Sequence, residues 1–505
     1  MKNYSLLLLI LFISGFSNPH FQLERAGKII SPTTPESLGI SSQAILNFVE
    51  AAEKMRPNDL HSFMILRHGQ EAAAGWWSPY DAESPHMLYS LSKSFTSTAI
   101  GLAQNEGLLS IDDPVIGFFP DETPENPSEN LKAMRIRDLL KMNSGHNEDA
   151  TQRMVGNAES WVKGFLALEV EHKPGTHFVY NTAATFMLSA IIQKVSGKTL
   201  EEYLTPRIFE PLDITTHKWD QNMNGINVGG WGLNIRTKDI ANFGQLYLQK
   251  GKWKGKQLIP ENWVVEATSY QTSNGSNPES DWEQGYGYQF WQCRHGLYRG
   301  DGAFGQFCIV LPEQDAVIAI TSGSKDMQAI MNLVWDHLLP AFKDEPLEEN
   351  LQAQRALSEK LSNLKLSPVQ GENTAKLARK ISGKAYMLEE NEWDIEEMLF
   401  NLKGKENTLI LKGKNGEFSL PIGIGEFKES KFNFPQIGQQ SVAISGAWTE
   451  EDTFKLLMYL DETPYAYTCS ISFEGNNMTM ERELNVNFGN TKRPAIQGKI
   501  AEKGK

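Results

Sequence analysis

Apolar residues fall at helical spacing from Ser41 to Met55 (Ile45, Phe48, Val49, Ala52, Met55), and Pro57 ends that run. The pattern then shortens. Ser62 to Leu66 and Glu71 to Trp77 read as two strands of a hairpin turning at Arg67-His68-Gly69-Gln70. A second helix starts near Ser90 and carries almost no charge through Phe95, Ala99, Ile100, Leu102 and Ala103 before Gly107 closes it. Arg135 to Met142, Trp161 to Val170 and a long apolar run after Thr182, capped by Gly197, predict further helices. Another is expected over Asp239 to Leu248. Strands are expected from Gly285 to Trp291, Phe304 to Leu311 and Ala316 to Ser322, and a closing helix over Met327 to Leu339. Helices followed by late strands that return to an early hairpin predict an α+β domain, an antiparallel sheet flanked by helices, over residues 25–343.

The pattern changes again after Lys343. Glu345 to Lys365 is charged, and residues 344–373 read as a helical linker. From about Thr374 short apolar runs (Met398 to Leu402, Thr408 to Leu411, Phe454 to Leu460, Tyr467 to Phe473, Met478 to Leu484) alternate with Gly, Asn and Asp turns, which predicts a C-terminal all-β domain over 374–505.

Composition narrows the function classes. The net charge of -14 and the lack of a basic run exclude nucleic acid as an expected partner. The three cysteines (Cys293, Cys308, Cys469) are too few for a disulfide framework and read as buried small hydrophobes, with a Cys293–Cys308 bridge left open. The ten histidines are scattered, so no metal is expected, and no cofactor. Lys2, the apolar core Leu6 to Phe12 and the small residues Gly15-Phe16-Ser17 resemble a signal peptide over 1–17, with a membrane anchor as the alternative. The mature protein is expected to be exported, periplasmic or secreted, without a membrane span; its oligomeric state is left open.

The candidate chemistry centres on Ser90 and Lys93. Residues at i and i+3 share a helix face, so the hydroxyl and the amine can meet. Serine is a weak nucleophile until a base takes its proton, and lysine is that base only when neutral, as burial makes it. Ser160/Lys163, Ser322/Lys325 and Ser362/Lys365 have the same spacing; the apolar run around Lys93 singles out the first pair. The Gly-x-Ser-x-Gly elbow of α/β-hydrolases is absent. Tyr180 is a candidate to relay a proton to a leaving group. The glycines of Gly300-Asp301-Gly302-Ala303 allow a close backbone approach, so the N–H groups of Ala303 and Ser90 are candidate oxyanion donors.

In this order, Ser90-x-x-Lys93, Tyr180 after Pro174-Gly175, and Gly300-Asp301-Gly302 resemble the three motifs of serine β-lactamase-like enzymes. That group includes class C β-lactamases, penicillin-binding D,D-peptidases, esterases and 6-aminohexanoate-dimer hydrolases. The flanks Gly230-Trp231-Gly232-Leu233 and Gly302-Ala303-Phe304-Gly305-Gln306 are most similar to the last of these. The resemblance implies a helical subdomain beside the sheet with the site between them. It also implies acylation of Ser90 by a small ester or amide, proton transfer by Lys93 and Tyr180, and an oxyanion hole from Ser90 and Ala303. Thr182, Asp301, Gly302 and Trp231 are the implied substrate contacts. Two departures matter. Thr182 stands where the family's second motif carries Asn, and Gly300 where the third often carries Lys or His. The missing cation weakens binding of a substrate carboxylate. The expected activity is therefore that of an esterase or amidase, with a D,D-peptidase or a non-catalytic binding protein on the same fold as alternatives.

Overall fold

The computed structural model describes residues 33–55, 59–156, 159–402 and 406–501. The signal-peptide expectation therefore lies outside the described residues. Helix α1 (Ser42–Glu53) starts where the Ser41 side chain accepts from the Ala44 N–H. It leads to the hairpin of β1 (Asp59–Arg67) and β2 (Gln70–Trp76). His68 and Gly69 both have positive φ, 51° and 70°, the requirement of a two-residue turn that follows strand twist. Helix α2 (Ser92–Asn105), helix α3 (Thr182–Ser196, closed by Gly197 at φ 69°) and helix α4 (Thr237–Leu248) follow, with shorter helices between the first two.

The late strands are β3 (Trp291–Gln292), β4 (Tyr298–Gly302), β5 (Gln306–Leu311) and β6 (Ala316–Gly323). They join the hairpin in one six-stranded sheet of order β2-β1-β6-β5-β4-β3, antiparallel throughout. The expected strand Gly285 to Trp291 is mostly irregular, because positive φ at Gly285 (113°) and Gln289 (65°) interrupts it. Side chains of β5 alternate between two cores. Cys308 and Val310 face the helices α2, α3 and α4, whereas Phe307, Ile309 and Leu311 face α1, α5 (Met327–Leu333) and α6 (Leu351–Ser362). Cys293 and Cys308 are free, and they sit in different cores on opposite faces of the sheet. Helix α6, in the segment read as a linker, packs on α1, where Lys360 meets Glu53 at 2.6 Å.

The C-terminal domain is a barrel-like sheet of ten strands: β7 (Ala385–Leu388), β8 (Ile395–Asn401), β9 (Asn407–Gly413), β10 (Gly416–Ile422), β11 (Lys428–Phe434), β12 (Gly438–Trp448), β13 (Thr453–Tyr459), β14 (Ala466–Glu474), β15 (Asn477–Leu484) and β16 (Lys492–Ile500). Their order, β10-β9-β8-β7-β16-β15-β14-β13-β12-β11, places the sequence neighbours β10 and β11 at its two ends. A bridge from Gly423 to Ser445 curls the sheet toward closure. Alternate residues, such as Met478 and Met480 of β15, fill its interior. Two loops of this domain reach the first one. In the β13–β14 loop, Glu462 O accepts from Met87 N at 2.8 Å and Thr463 O from the Tyr80 hydroxyl at 3.1 Å. In the β15–β16 loop, Asn485 Nδ2 donates to Gly323 O at 3.3 Å.

Candidate active site

Ser90 lies in a single 3₁₀ turn, Tyr89–Leu91, that leads directly into α2. Tyr89 has φ 48°, a left-handed conformation that tightens this turn. One helical turn on, the Lys93 amine lies 2.9 Å from Ser90 Oγ and donates to Gly230 O at 2.7 Å. Lys93 is 1% exposed. Burial pulls its pKa down to about 7, against Asp149 and Asp301, which favour the charged form.

The carbonyl that receives Lys93 belongs to the glycine-rich stretch before β-paired Leu233. A Cβ on Gly229 would meet Ser189 Cβ at 2.7 Å, and one on Gly230 would meet Thr182 Cγ2 at the same distance. Only glycine lets this backbone pass between α3 and α2. Its role as the Lys93 acceptor had no sequence signature beyond the glycines.

Tyr180 precedes α3. Its hydroxyl interacts with the Ser90 side chain, which favours the phenolate, and its ring stacks on Trp291 with centroids 5.1 Å apart. Lys93 Nζ lies 5.0 Å from the ring centroid. Burial is the main cause that raises the Tyr180 pKa, and Asp301 adds to it, so the phenol stays neutral at physiological pH. Asn181 turns away from the cleft: its Oδ1 accepts from Ala150 N at 3.2 Å and its Nδ2 donates to Ser144 Oγ at 3.3 Å. It fixes the loop that carries Asp149, whose Oδ1 accepts from Thr182 N at 3.3 Å.

The glycine strand β4 lies hard against the Ser90 turn. A Cβ on Gly302 would stand 1.9 Å from Leu88 O, and one on Gly300 would stand 2.6 Å from Ser94 Oγ. Asp301 is buried and paired with Arg299, whose Nε donates to Asp301 Oδ2 at 2.9 Å. Burial raises the Asp301 pKa and the guanidinium opposes the shift. Arg299 is wholly buried; it also donates to Asp281 O at 2.8 Å and lies 4.5 Å from the Trp282 ring centroid. Sequence reading missed this residue, which resembles any strand arginine until its neighbours are known.

These groups open on one cleft of about 690 Å³. Ser90, Tyr180, Thr182, Trp231, Asp301 and Ala303 all line it, so six of the expected site residues are brought together; Gly302 supports it from behind. Tyr89, Asp149, Trp282, Trp291, Met327 and Phe488 also line it and had not been expected there. Trp282 and Trp291 bracket the Gly285-Tyr286-Gly287 stretch, the one hint the sequence offered for them. No lysine or arginine side chain is among the lining residues. A larger cleft, about 1000 Å³, opens at Trp448 and Phe473 on the barrel and holds no serine–lysine pair. Among the described residues, no group of three His, Cys, Asp or Glu side chains is placed to hold a metal. No helix among them is long and apolar enough to cross a membrane.

A 6-aminohexanoate-dimer hydrolase from Paenarthrobacter ureafaciens is 22% identical over 325 residues, which cover 58% of this chain and 81% of that protein. A β-lactamase from Escherichia coli is 20% identical over 206 residues, covering 41% of this chain and 48% of the relative. Among solved structures, an octameric penicillin-binding protein homologue from Pyrococcus abyssi aligns over 90% of this chain and 99% of its own, at 18% identity and a TM-score of 0.47. The profile of the Beta-lactamase family matches residues 61–336, more than half of the chain and the span from within β1 past Ala303. With that match, the chain belongs to the beta-lactamase family of serine hydrolases.

Proposed function

We propose that the protein hydrolyses small esters or amides without a carboxylate beside the scissile bond, through an acyl-enzyme on Ser90. The observation that carries this reading is the buried Lys93 amine 2.9 Å from Ser90 Oγ, with its pKa near 7. At neutral pH about half of such an amine is free base. It takes the Ser90 proton as Oγ bonds to the substrate carbonyl carbon. The carbonyl electron pair moves to oxygen, where the N–H groups of Ser90 and Ala303 are the donors. As the oxyanion collapses, the bond to the leaving group breaks, and the neutral Tyr180 phenol passes on the proton that group needs. Tyr180 recovers a proton from the Lys93 ammonium. Water repeats the sequence on the acyl group and releases the acid, with Lys93 taking the water proton.

The absence of a lysine or arginine on the cleft wall supports neutral substrates. Asp149 on the cleft wall disfavours anions further, whereas Asp301 is neutralised by Arg299. This separates the reading from β-lactam or cell-wall peptide chemistry, in which a substrate carboxylate is held. The Lys2 and Leu6 to Phe12 pattern supports action outside the cytoplasm.

Intact mass after treatment with a fluorophosphonate tests the nucleophile. One adduct on the wild type is expected, lost in Ser90→Ala and formed at least a hundredfold more slowly in Lys93→Ala. An adduct that persists in Ser90→Ala would sink the assignment.

A further inference from the structure

The cleft has a wall that the hydrolase domain does not make. Phe488 belongs to the β15–β16 loop of the C-terminal domain, yet it lines the same cleft as Ser90. Its ring lies 5.5 Å from that of Tyr89, edge to face, and 4.9 Å from that of Phe304. Tyr89 and Phe304 are the sequence neighbours of Ser90 and Ala303, and both hold positive φ, 48° and 67°. Tyr465, from the neighbouring β13–β14 loop, hydrogen-bonds the Tyr89 hydroxyl and completes the cluster.

The loops are tethered rather than resting there loosely. Asn485 Nδ2 donates to Gly323 O on β6 and to Pro464 O at 2.9 Å, and its Oδ1 accepts from Ala466 N at 2.8 Å. Despite this anchoring, 74% of Phe488 remains exposed, more than any other large hydrophobic side chain described. An aromatic ring on a tethered loop, with most of its surface still in water and facing a cleft whose walls include Trp231, Trp282, Trp291 and Met327 beside Asp149, Thr151 and Gln152, has apolar area left to bury against a ligand.

We infer that Phe488 is a specificity-determining residue, and that through it the C-terminal domain selects, in the same chain, esters or amides bearing an apolar chain or ring beyond the scissile carbonyl. The inference rests on the Ser90 acyl-enzyme reading above. Phe488 makes no bond to the reacting atoms. It shields an apolar substituent from water, and truncating it removes that shielding for long substituents more than for short ones.

The test uses the full-length protein and the rate of Ser90 adduct formation with fluorophosphonates in which the alkyl or the alkoxy chain is methyl or octyl. Wild type is expected to react faster with an octyl probe. In Phe488→Ala at least one octyl-to-methyl ratio should fall about fivefold to tenfold, and Phe488→Leu should restore most of it. Both ratios unchanged in Phe488→Ala, with Ser90 still labelled, would overturn this inference alone. No adduct with any probe on folded wild type would overturn the hydrolase reading and this inference with it.

Discussion

A lysine with 1% of its surface exposed, one proton acceptor above it and a serine hydroxyl beside it is held by what surrounds it near the state that the proposed catalysis needs. Burial disfavours the ammonium, while Asp149 and Asp301 pull the other way, and the balance lies near 7. Below that value Lys93 is protonated and cannot take the Ser90 proton; above it the amine is free. Labelling of Ser90 should therefore rise with pH through an inflection near 7 and level off above about 8. Tyr180 adds no second inflection there, since burial keeps its phenol neutral. Replacing Asp149 by Asn removes a charge that favours the ammonium, so the inflection should move to lower pH. A profile of labelling rate between pH 5 and 9 for both proteins checks this; an inflection that stays put in Asp149→Asn would remove Asp149 from the balance. At this scale Ser90, Lys93 and Tyr180 were readable from spacing and order. Asp149 and Arg299 were not, because a lone acid in a loop and a lone base in a strand carry no local mark of the partners that chain folding brings them.

The elements around the site divide by the same logic. Helix α1 buries a periodic face, α3 is buried on every side from Ala183 to Ile192, and both end on strong local signals, Pro57 just beyond one and Gly197 at the other, so both were legible. The hairpin β1–β2 was legible because its turn needs the residues it has, His68-Gly69. Strands β10, β11 and β12 were missed: their outer ends are polar and exposed, and only pairing with neighbours makes them strands. The β4 glycines could be recognised as special, but which backbone they approach could not. The structure separates them. A Cβ at Gly302 would collide with the Leu88 carbonyl and approach Leu91 N at 3.2 Å, both backbone, whereas at Gly300 it would meet the Leu91 and Ser94 side chains, which can rotate. Gly302→Ala should thus displace the Ser90 turn from the strand that carries Ala303, at a cost of about 1–3 kcal/mol. Ser90 labelling should fall at least tenfold, and Gly300→Ala should lose clearly less. Labelling and thermal unfolding measured together check the order; equal losses in the two variants would mean the glycines act only through strand stability.

Across the whole molecule, the loop that brings Tyr465 to the Ser90 turn also carries an acid under strain. Asp461 begins the turn from β13 to β14, and its Oδ1 is buried with no protein partner. Its pKa is raised to about 7, chiefly by burial, with Glu462, Glu429 and Asp81 contributing to the rise. Glu462 and Glu429 belong to the same domain as Asp461, and Asp81 adds the smallest share from the hydrolase domain. The folded state then holds a proton that the unfolded chain releases above about pH 4. Stability is highest below that value, declines as pH rises from about 4 to about 7, and carries the full penalty above. Asp461→Asn keeps the shape and removes the charge. It should be more stable than wild type by about 1–3 kcal/mol at pH 8, and the gain should vanish at pH 4. Thermal unfolding of both proteins across that range decides the matter. A melting temperature raised equally at both ends would show a packing effect with no proton involved. A gain confined to high pH would assign it to the buried Asp461 carboxylate, in the loop that also carries Tyr465.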